Sequence, residues 1–357
     1  MNTKDRKTIL HIITNLGPGG APKYLLKLIQ NDENNSHLIY VIDKKDSIAQ
    51  NDKIKFKIIY SRFNKLLFPF PHILELIYCL IKIRPVIIQS WLYHADFLTI
   101  FLRPIFRKNI IWSIRNSIYD ISILKKTTIL ILKICSLFSK LVPNKILYNS
   151  QAGRLSHEIF GYNSDKGEVI VNGISIPNDL PTYKKSSGIF RIGTACRNDP
   201  AKGLENMLLA LDDLNFNDWS WTLIGDGCTN LNIINNNDKI FLHEFSNDIN
   251  HFYSNIDLFV LPSLSEGLSN VLLEAMSRRV TCLATDVGDN KLVLADNTKI
   301  VSPGNHNELT KKINECFALF KKDIVKYQNN NKIDHIKSEY SYKKSVKAYQ
   351  DQWKNLT

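Results

Sequence analysis

The sequence predicts an α/β fold made of two doubly wound domains, and three observations support this prediction. Short runs rich in Ile, Val and Leu alternate with longer amphipathic stretches along the chain, which is the pattern of parallel strands joined by helices. With 357 residues, the chain is longer than one ordinary hydrophobic core requires. A segment rich in Pro, Ser and Lys at 176–188 separates two series of these runs.

The two series define the predicted domains. The first domain covers residues 1–175 and the second covers 189–341, with 176–188 as the linker. In the first domain the apolar runs predict strands at 8–14, 37–42, 56–60, 86–90 and 110–114, and helices at 66–83, 94–106 and 118–142. In the second domain they predict strands at 190–195, 221–224, 240–242 and 258–261.

The composition is that of a soluble globular protein. Its six cysteines form no Cys-x-x-Cys pair, which argues against a zinc site and a disulfide framework and favours a reducing cytoplasm. The apolar run at 9–13 is too short for a signal peptide. Prolines and charged residues interrupt the two most apolar stretches, 66–83 and 118–142, so we predict no transmembrane span.

The positive charge is concentrated in the first half of the chain. Residues 1–180 carry 25 Lys and Arg against 13 Asp and Glu, whereas residues 181–357 carry 21 of each. This asymmetry indicates an anionic partner for the first domain, either anionic lipid or a pyrophosphate-linked acceptor. Nucleic acid is the weakest candidate because no binding motif accompanies the charge. A solvated basic surface is the alternative.

The most informative stretch is 257–286, which has the pattern of strand, loop, helix and strand. Pro262 ends the apolar strand, and Gly267 lets the backbone approach a ligand. Ser269 or Asn270 is predicted to cap the helix, whose first N–H groups then point at the loop. In an open α/β sheet a phosphate binds at such a place, between the end of a strand and the start of the next helix.

Two carboxylates flank this turn, Glu266 in the loop and Glu274 in the helix, with seven residues between them. Because a phosphate repels carboxylates, we interpret both as acceptors of hydrogen bonds from hydroxyls, a sugar on one side and a ribose on the other. The alternative is an exposed loop residue and a first-turn Glu favoured by the helix dipole.

Two other strand-to-helix turns carry candidate ligands. Arg197 and Lys202 follow the strand at 190–195, where two cations can meet both phosphates of a nucleotide diphosphate. Each such contact contributes about 1.5–3 kcal/mol. Gly19 and Gly20 lie in a glycine-rich turn after the first strand, which lets backbone N–H groups approach a phosphate.

The stretch 257–286 closely resembles the donor-binding signature of the family 4 glycosyltransferases, whose Glu-x7-Glu corresponds to Glu266 and Glu274. The turn after 190–195 resembles the family's Arg and Lys-Gly element, and the resemblance extends over most of the chain. It implies a GT-B fold, in which two Rossmann-like domains face a central cleft. It also implies that the final helix, at 342–357, packs back on the first domain.

The resemblance further implies a retaining glycosyltransferase, which moves a hexosyl group from a nucleotide-diphosphate sugar to a lipid-linked glycan acceptor. Capsule, O-antigen, lipopolysaccharide and exopolysaccharide synthesis are the expected settings. Arg197, Lys202 and the amides near Gly267, Leu268 and Ser269 would stabilise the leaving diphosphate, so we expect no metal or other cofactor. The acceptor would attack from the leaving-group side, and no residue presents itself as a clear general base.

In the first domain, the resemblance implies that His94 stands near the transferred sugar and that Arg115 and Asn116 line the acceptor side. The basic and apolar stretch 118–142 is predicted either to dock on the inner face of the bacterial cytoplasmic membrane or to pack in the core.

The sequence departs from the family pattern at several positions. Pro22 replaces a usual Glu, and His243 replaces a usual Gly. Arg279 and Thr281 stand where Gly and Pro are usual, and Lys291 stands where a carboxylate is often found. These departures leave the contacts of the opening loop and the base specificity open.

The sequence leaves two other functions open. A nucleotide-sugar epimerase of the same architecture would need acidic and His residues facing the sugar from the first domain, where His94 and Asp96 are the candidates. A catalytically silent, membrane-docked scaffold would have no physical need for Glu266, Arg197 and Lys202 together.

Overall fold

The structure is a computed structural model. It describes residues 6–17, 19–43, 56–62, 69–107, 109–118, 121, 124–177, 188–231, 238–244, 249–329 and 332–357. The chain divides into two compact units: unit 1 comprises Met1–Asn172 and Lys343–Thr357, and unit 2 comprises Gly173–Tyr342. Most of the predicted linker, 178–187, lies outside the described residues. Among the described residues, no helix combines the length and the apolar character needed to cross a bilayer.

Unit 1 contains a parallel sheet of seven strands in its described part. The order across the sheet is β3-β2-β1-β4-β5-β6-β7. The strands are β1 (Thr8–Ile13), β2 (Ser36–Val41), β3 (Lys57–Tyr60), β4 (Ile87–Trp91), β5 (Asn109–Ile114), β6 (Lys145–Tyr148) and β7 (Gly167–Val169). The chain runs outward from β1 to β3 and then returns to add β4 on the other side of β1, so the topological switch point lies between β1 and β4.

The helices of unit 1 follow its strands as the alternation predicts. They are α1 (Gly20–Gln30), α2 (Pro69–Ile83), α3 (Tyr93–Leu102), α4 (Lys126–Phe138), α5 (Gln151–Phe160) and the last helix of the chain, α13 (Tyr342–Asn355). The central strands are buried on both faces, with Ile88, Ile110 and Ile146 fully enclosed, as expected of a parallel sheet covered by helices.

The predicted helix at 118–142 is shorter in the structure. Helix α4 begins at Lys126 and ends at Phe138, while residues 119, 120, 122 and 123 lie outside the described part of the chain. A turn follows the helix at 139–141, and Pro143 disfavours any further helical turn because a proline disfavours helical backbone at the residue before it.

The last helix packs on unit 1 through polar and aromatic contacts. Trp353 is buried and donates its indole N–H to Gln89 Oε1 at 2.7 Å. Gln350 donates to Asp32 at 2.9 Å, and Tyr349 lies parallel to the ring of Trp91. The end of the chain therefore completes the core that its beginning forms.

Unit 2 repeats the same topology. Its sheet is parallel, and the described strands follow the order β10-β9-β8-β11-β12-β13. The strands are β8 (Phe190–Ala195), β9 (Trp219–Ile224), β10 (Ile240–His243), β11 (Leu258–Leu261), β12 (Thr281–Thr285) and β13 (Ile300–Val301). Strand β11 joins the sheet beside β8, so the switch point of unit 2 lies between these two strands.

The helices of unit 2 enclose this sheet. They are α6 (Leu204–Asp212), α7 (Ile249–Ser254), α8 (Asn270–Ser277), α9 (Asn290–Leu294), α10 (His306–Lys322), α11 (Ile324–Asn329) and α12 (Ile333–Glu339). Helix α8 directs Leu272, Leu273 and Met276 into the core, as its apolar spacing predicts. The aromatic rings of Phe190, Phe320 and Tyr327 meet edge to face below the sheet.

Candidate active site

In both units, candidate residues follow each of the two strands that flank the switch point. Gly19 follows β1 and His94 follows β4 in unit 1, while Arg197 follows β8 and Glu266 follows β11 in unit 2. Because open parallel sheets bind ligands outside the carboxyl ends of the strands at the switch point, this position is the expected one for a binding site.

The centre of the unit 2 site is an ion pair between Lys202 and Glu266. The Nζ atom of Lys202 lies 2.8 Å from Glu266 Oε1, and Ser263 Oγ donates to the same oxygen at 2.7 Å. The side chains of Lys202 and Glu266 are 20% and 11% exposed. Both bonds end on Oε1, and no hydrogen bond to Oε2 is formed within the described part of the chain. Oε2 of Glu266 can therefore accept a further hydrogen bond.

The loop that carries Glu266 is joined to the turn that carries Lys202. The amide of Leu264 donates to Ala201 O at 2.8 Å. Gly203 has φ +64°, and a Cβ at this residue would lie 2.1 Å from Pro262 O. Since only glycine allows this approach, the Lys-Gly pair holds Lys202 against the Glu266 loop.

A second glycine supports the same loop from the other side. Gly288 has φ +58°, and a Cβ there would lie 2.4 Å from Gly267 O and 2.7 Å from Glu266 O. The next residue, Asp289, donates its amide to Gly267 O at 2.8 Å. Thr285 Oγ1 donates to Ser263 O at 2.5 Å. The Thr-Asp-Val-Gly stretch thus fixes the backbone on which Glu266 and Gly267 stand.

Helix α8 begins directly after this loop. Ser269 occupies its N-cap position with extended backbone, as predicted, but its side chain makes no capping hydrogen bond. Leu268 and Ser269 are buried at the helix start. The first N–H groups of any helix have no partner within the helix and carry a partial positive charge, so this end of α8 suits an anionic group.

Arg197 and Glu274 lie at the borders of this cluster. The Arg197 side chain is 69% exposed, and its nearest carboxylate, Asp199, is 3.9 Å away. Its guanidinium is therefore open to solvent. Glu274 stands on α8, where Tyr253 Oη lies 3.3 Å from Glu274 Oε2. Ser263 and Tyr253 were not among the predicted residues. Ser263 lies in the signature stretch but has a side chain of no distinctive chemistry, and Tyr253 lies outside the stretch, 21 positions from Glu274.

In unit 1, Gly19 and Gly20 form the start of α1. Gly19 is the N-cap residue with extended backbone, and its amide donates to Gly17 O at 2.8 Å. Both glycines are exposed. His94 is the second residue of α3, and it follows Leu92, whose φ of +72° is unusual for a non-glycine residue. Burial lowers the pKa of His94, so the neutral imidazole is favoured at neutral pH.

Arg115 has partners that the sequence did not reveal. Its guanidinium lies 4.1 Å from the ring centre of Tyr24. It donates to Tyr349 Oη at 2.7 Å and to Asn172 Oδ1. These contacts tie β5 to the last helix, so the predicted acceptor-side residue is bound within unit 1 through its charged group.

Asn116 belongs to a group of buried polar atoms at the carboxyl ends of β5 and β6. Four of them have no hydrogen-bond partner within the described residues: Asn116 Oδ1, Ser117 Oγ, Tyr148 Oη and Asn149 Oδ1. Buried polar atoms of native proteins nearly always have partners. These four therefore indicate a place where water or ligand hydroxyls bind. The sequence pointed to Asn116 alone.

Asp96 does not support the epimerase alternative. It is fully buried, accepts from Ser90 Oγ at 2.6 Å, and burial raises its pKa well above the ordinary value. A carboxyl that is fully buried is not accessible to a sugar in solvent. In the described part of the chain, no group of three His, Cys, Asp or Glu side chains is placed to hold a metal ion.

Part of the chain matches a known protein family. Residues 189–318, most of unit 2, match the model of the family described as glycosyl transferases group 1. No curated protein matches the chain.

Several solved structures share the fold of the whole chain. Alr3699/HepE from Anabaena in complex with UDP has a TM-score of 0.80 and 18% identity, over 98% of this chain and 100% of that one. A glycosyltransferase from Rickettsia africae has a TM-score of 0.81 and 17% identity, over 99% of both chains. The lipopolysaccharide outer core galactosyltransferase WaaB has a TM-score of 0.74 and 15% identity, over 96% of this chain and 98% of that one.

These likenesses confirm the predicted GT-B fold, with two parallel sheets of α/β topology. The match of residues 189–318 supports a relation to the group 1 glycosyltransferases, whereas the structural neighbours, at 15–18% identity, show the fold alone.

Proposed function

We propose that the protein is a retaining glycosyltransferase of family 4, which transfers a hexosyl group from a nucleotide-diphosphate sugar to a lipid-linked glycan acceptor in surface-polysaccharide synthesis. One observation carries the proposal. Lys202, Glu266 and Ser263 form a single hydrogen-bonded cluster beside the switch point of unit 2. A cation, a carboxylate and the start of α8 are then side by side, as recognition of both a diphosphate and a sugar requires.

The cations and the helix start bind the diphosphate in this proposal. Departure of the leaving group builds negative charge on its oxygens, and fixed donors aimed at that charge lower the barrier. Arg197 is open to solvent and can reach a phosphate, and Lys202 has two N–H bonds beyond the one directed at Glu266. The N-terminal end of α8 contributes backbone N–H groups to the same anion.

The carboxylates bind hydroxyls. Glu266 is held on Oε1 by Lys202 and Ser263, which leaves Oε2 to accept a hydrogen bond from the donor sugar. Glu274 accepts from the ribose, and Tyr253 orients its carboxylate. Both roles require ionised carboxylates, since only these accept on all their lone pairs.

Unit 1 supplies the acceptor side. The neutral imidazole of His94 stands near the transferred sugar, where it can exchange a hydrogen bond without adding charge. The unpartnered oxygens at the ends of β5 and β6 match the donors of a glycan, which presents many hydroxyls. Asn116 is the member of this group that we assign to the acceptor.

The donor is a nucleotide-diphosphate sugar, and UDP-sugars are the first to test. The neighbouring structure of Alr3699/HepE was determined with UDP and also with UDP-glucose. At 17–18% identity this likeness supports the choice of probe and leaves the base and the sugar to experiment. No metal is required in this proposal, because protein cations take the diphosphate charge.

The basic first half of the chain supports a peripheral position on the inner face of the cytoplasmic membrane. Helix α4 carries the exposed residues Leu130 and Leu137, and the exposed Leu141 lies just beyond its end. Lys126 and Lys133 alternate with them along the helix. Apolar side chains bordered by lysines are typical of interfacial helices. This position would bring a lipid-linked acceptor to the enzyme.

The proposal is tested by donor binding and transfer. Calorimetric titration with UDP, GDP, ADP and CMP, alone and as sugar conjugates, should give binding of one nucleotide diphosphate and its sugar. Lys202→Ala and Arg197→Ala should each weaken it about 10- to 100-fold, since a hydrogen bond to a charged group contributes about 1.5–3 kcal/mol. The matched control is Lys312→Ala, which removes a lysine of an exposed Lys–Glu pair in the same unit.

Product analysis then separates the functions. Release of the nucleotide with transfer to a lipid-linked acceptor supports the enzyme. Interconversion of the sugar while it stays on the nucleotide would instead favour an epimerase. Absence of binding to every nucleotide would favour a scaffold and would contradict the proposal.

A further inference from the structure

Helix α2 exposes an apolar stripe on the surface of unit 1. Phe70, Leu74, Tyr78 and Ile81 follow one another at helical spacing and are 73%, 64%, 64% and 66% exposed. The opposite side of the helix is also apolar and packs on the core. A helix that is apolar on all sides is normally covered on all sides, so the exposed stripe indicates a binding surface.

A cavity adjoins this stripe. It lies between α2 and β3, the edge strand of the sheet, and has a volume of about 750 Å³. This volume falls within the range of about 300–1,000 Å³ that is usual for ligand sites. Its walls are mainly apolar, and Leu74 and Tyr78 of the stripe line it together with Ile59 and Ile83.

The carboxylate inside the cavity already has hydrogen-bond partners. The Glu75 carboxylate accepts from Tyr40 Oη and from Ser61 Oγ, each at 2.8 Å. It also accepts from the backbone amide of Arg62. The interior therefore offers apolar contact rather than a vacant carboxylate, which suits a hydrocarbon chain.

Cations surround the cavity. Lys57, Arg62 and Lys82 line it and are exposed, and the Arg62 side chain is 89% exposed despite a Glu75 oxygen 3.9 Å away. An apolar cavity with three cations beside it is complementary to an anionic amphiphile. Residues 1–180 as a whole also carry an excess of positive charge, because Lys and Arg outnumber Asp and Glu there.

We infer that this surface binds an anionic lipid of the bilayer. The hydrocarbon chain of the lipid occupies the cavity between α2 and β3, and its phosphate lies against Lys57, Arg62 and Lys82. Helix α2 has 15 residues, so at 1.5 Å per residue it is about 22 Å long. That is shorter than the hydrocarbon core of about 30 Å. The helix therefore lies in the membrane interface with its stripe inserted.

The neighbouring elements extend the same surface. Helix α3 packs between α2 and α4. Phe101 on α3 and Ile105 just after it are also exposed. A second copy of the protein fits this surface less well. In a two-fold dimer the same surface of both subunits would meet, which would bring the like charges of the two copies together.

This inference gives the membrane contact of the proposed function a specific site, yet its test is independent of catalysis. The purified full chain is floated with vesicles of phosphatidylcholine alone or with added phosphatidylglycerol, without nucleotide. We expect binding to the anionic vesicles, and Leu74→Glu should weaken the partition about tenfold or more, because it removes apolar insertion and adds a negative charge. The matched control, Leu209→Glu, changes an exposed leucine of unit 2 and should bind as the wild type.

Two further variants separate binding of the lipid phosphate from binding of the lipid hydrocarbon chain. Arg62→Glu with Lys82→Glu should reduce binding to anionic vesicles, and the wild-type binding should decrease with salt. Ile59→Trp fills the cavity and should remove the lipid that remains bound to the wild type in native mass spectrometry, while circular dichroism shows an unchanged fold.

Three results would overturn the inference: equal binding of Leu74→Glu and wild type, no lipid on the wild type in native mass spectrometry, or conversion of a wild-type dimer to a monomer by Leu74→Glu. Since none of these assays contains a donor, their failure would leave the donor-binding test untouched. Loss of donor binding would likewise leave the lipid site standing.

Discussion

Lys202 Nζ lies 2.8 Å from Glu266 Oε1, so each of these residues is the other's counterion. A bound diphosphate would compete with Glu266 for the lysine, and its charge would be repelled by the carboxylate. Glu266 therefore opposes binding of the bare nucleotide diphosphate, whereas it favours a donor whose sugar hydroxyls satisfy the carboxylate.

Glu266→Gln should bind the nucleotide diphosphate alone about fivefold more tightly, because removing a like charge near the phosphates contributes on the order of 1 kcal/mol. Turnover with the sugar donor should fall about a hundredfold. Calorimetry and a transfer assay measure the two quantities. Glu315→Gln, from the exposed pair with Lys312, should change neither. Weaker binding of the nucleotide by Glu266→Gln would show that the carboxylate does not face the phosphates.

Gly288→Ala should destabilise the loop that carries Glu266. The substitution combines left-handed backbone, which costs about 1–2 kcal/mol for a non-glycine residue, with a Cβ 2.4 Å from Gly267 O. We expect a lower free energy of unfolding and weaker donor binding. Urea unfolding and calorimetry measure these effects.

Gly304→Ala is the control for that experiment. Gly304 has φ +75°, and its nearest neighbour to an added Cβ is Leu264 Cδ2 at 3.9 Å. This variant should lower the free energy of unfolding, because its backbone is also left-handed, but it should keep the donor affinity of the wild type. Equal effects of the two substitutions on affinity would mean that the contact with Gly267 does not shape the site.

Trp353→Ala should destabilise unit 1 by about 3–5 kcal/mol, the usual cost of removing a large buried aromatic side chain. The variant also leaves Gln89 Oε1 without its donor. Thermal unfolding followed by circular dichroism should show an earlier transition. Lys354→Ala, at the adjacent exposed position, should stay within about 0.5 kcal/mol of the wild type. An unchanged transition in Trp353→Ala would contradict the role assigned to α13.

The stability of unit 1 should decrease on acidification. His157 donates from Nδ1 to Gly153 O at 2.7 Å, so its Nε2 accepts from Tyr93 Oη, also at 2.7 Å. Burial lowers the pKa of His157 to about 4, below the unfolded value of about 6.5. Between these values the unfolded chain binds one more proton than the native chain. The free energy of unfolding should therefore fall as pH drops, by up to about 1.4 kcal/mol per pH unit.

Burial also lowers the pKa of His11, which adds to the decrease. Melting temperatures between pH 7.5 and 4.5 measure the effect. His157→Gln should reduce the slope below pH 6.5, whereas His251→Gln, at an exposed position, should preserve it. A slope that is the same in wild type and His157→Gln would mean that His157 is charged in the native protein.

The sequence was sufficient to predict the elements whose structure is determined by a local pattern. The predicted strand at 258–261 coincides with β11, because four consecutive apolar residues before a proline have few other stable arrangements. The Lys-Gly turn pointed to one loop of the site, since its glycine is required by the close approach of Pro262 O.

Sequence reasoning failed where contacts join distant parts of the chain. The partner of Arg115 could not be predicted, because it donates to Tyr349, 234 positions away. The end of α4 was placed too late because apolar spacing continues past Phe138 although the backbone does not. Nothing local marks Tyr253 as a partner of Glu274. The roles of the predicted site residues remain predictions that the proposed experiments address.

Unit 1 is formed by two separate segments of the chain, and this affects how the protein folds during synthesis. Unit 2 is one continuous segment inserted between the two pieces of unit 1, and domains fold as units while synthesis proceeds from the N-terminus. The inserted domain can therefore reach its native state on the ribosome, whereas its host must wait for Trp353 and Tyr349 to emerge. Until then the rings of Trp91 and Tyr24 lack the aromatic partner that Tyr349 gives them. A nascent chain stalled before residue 343 should accordingly be a client for chaperones through its first half alone.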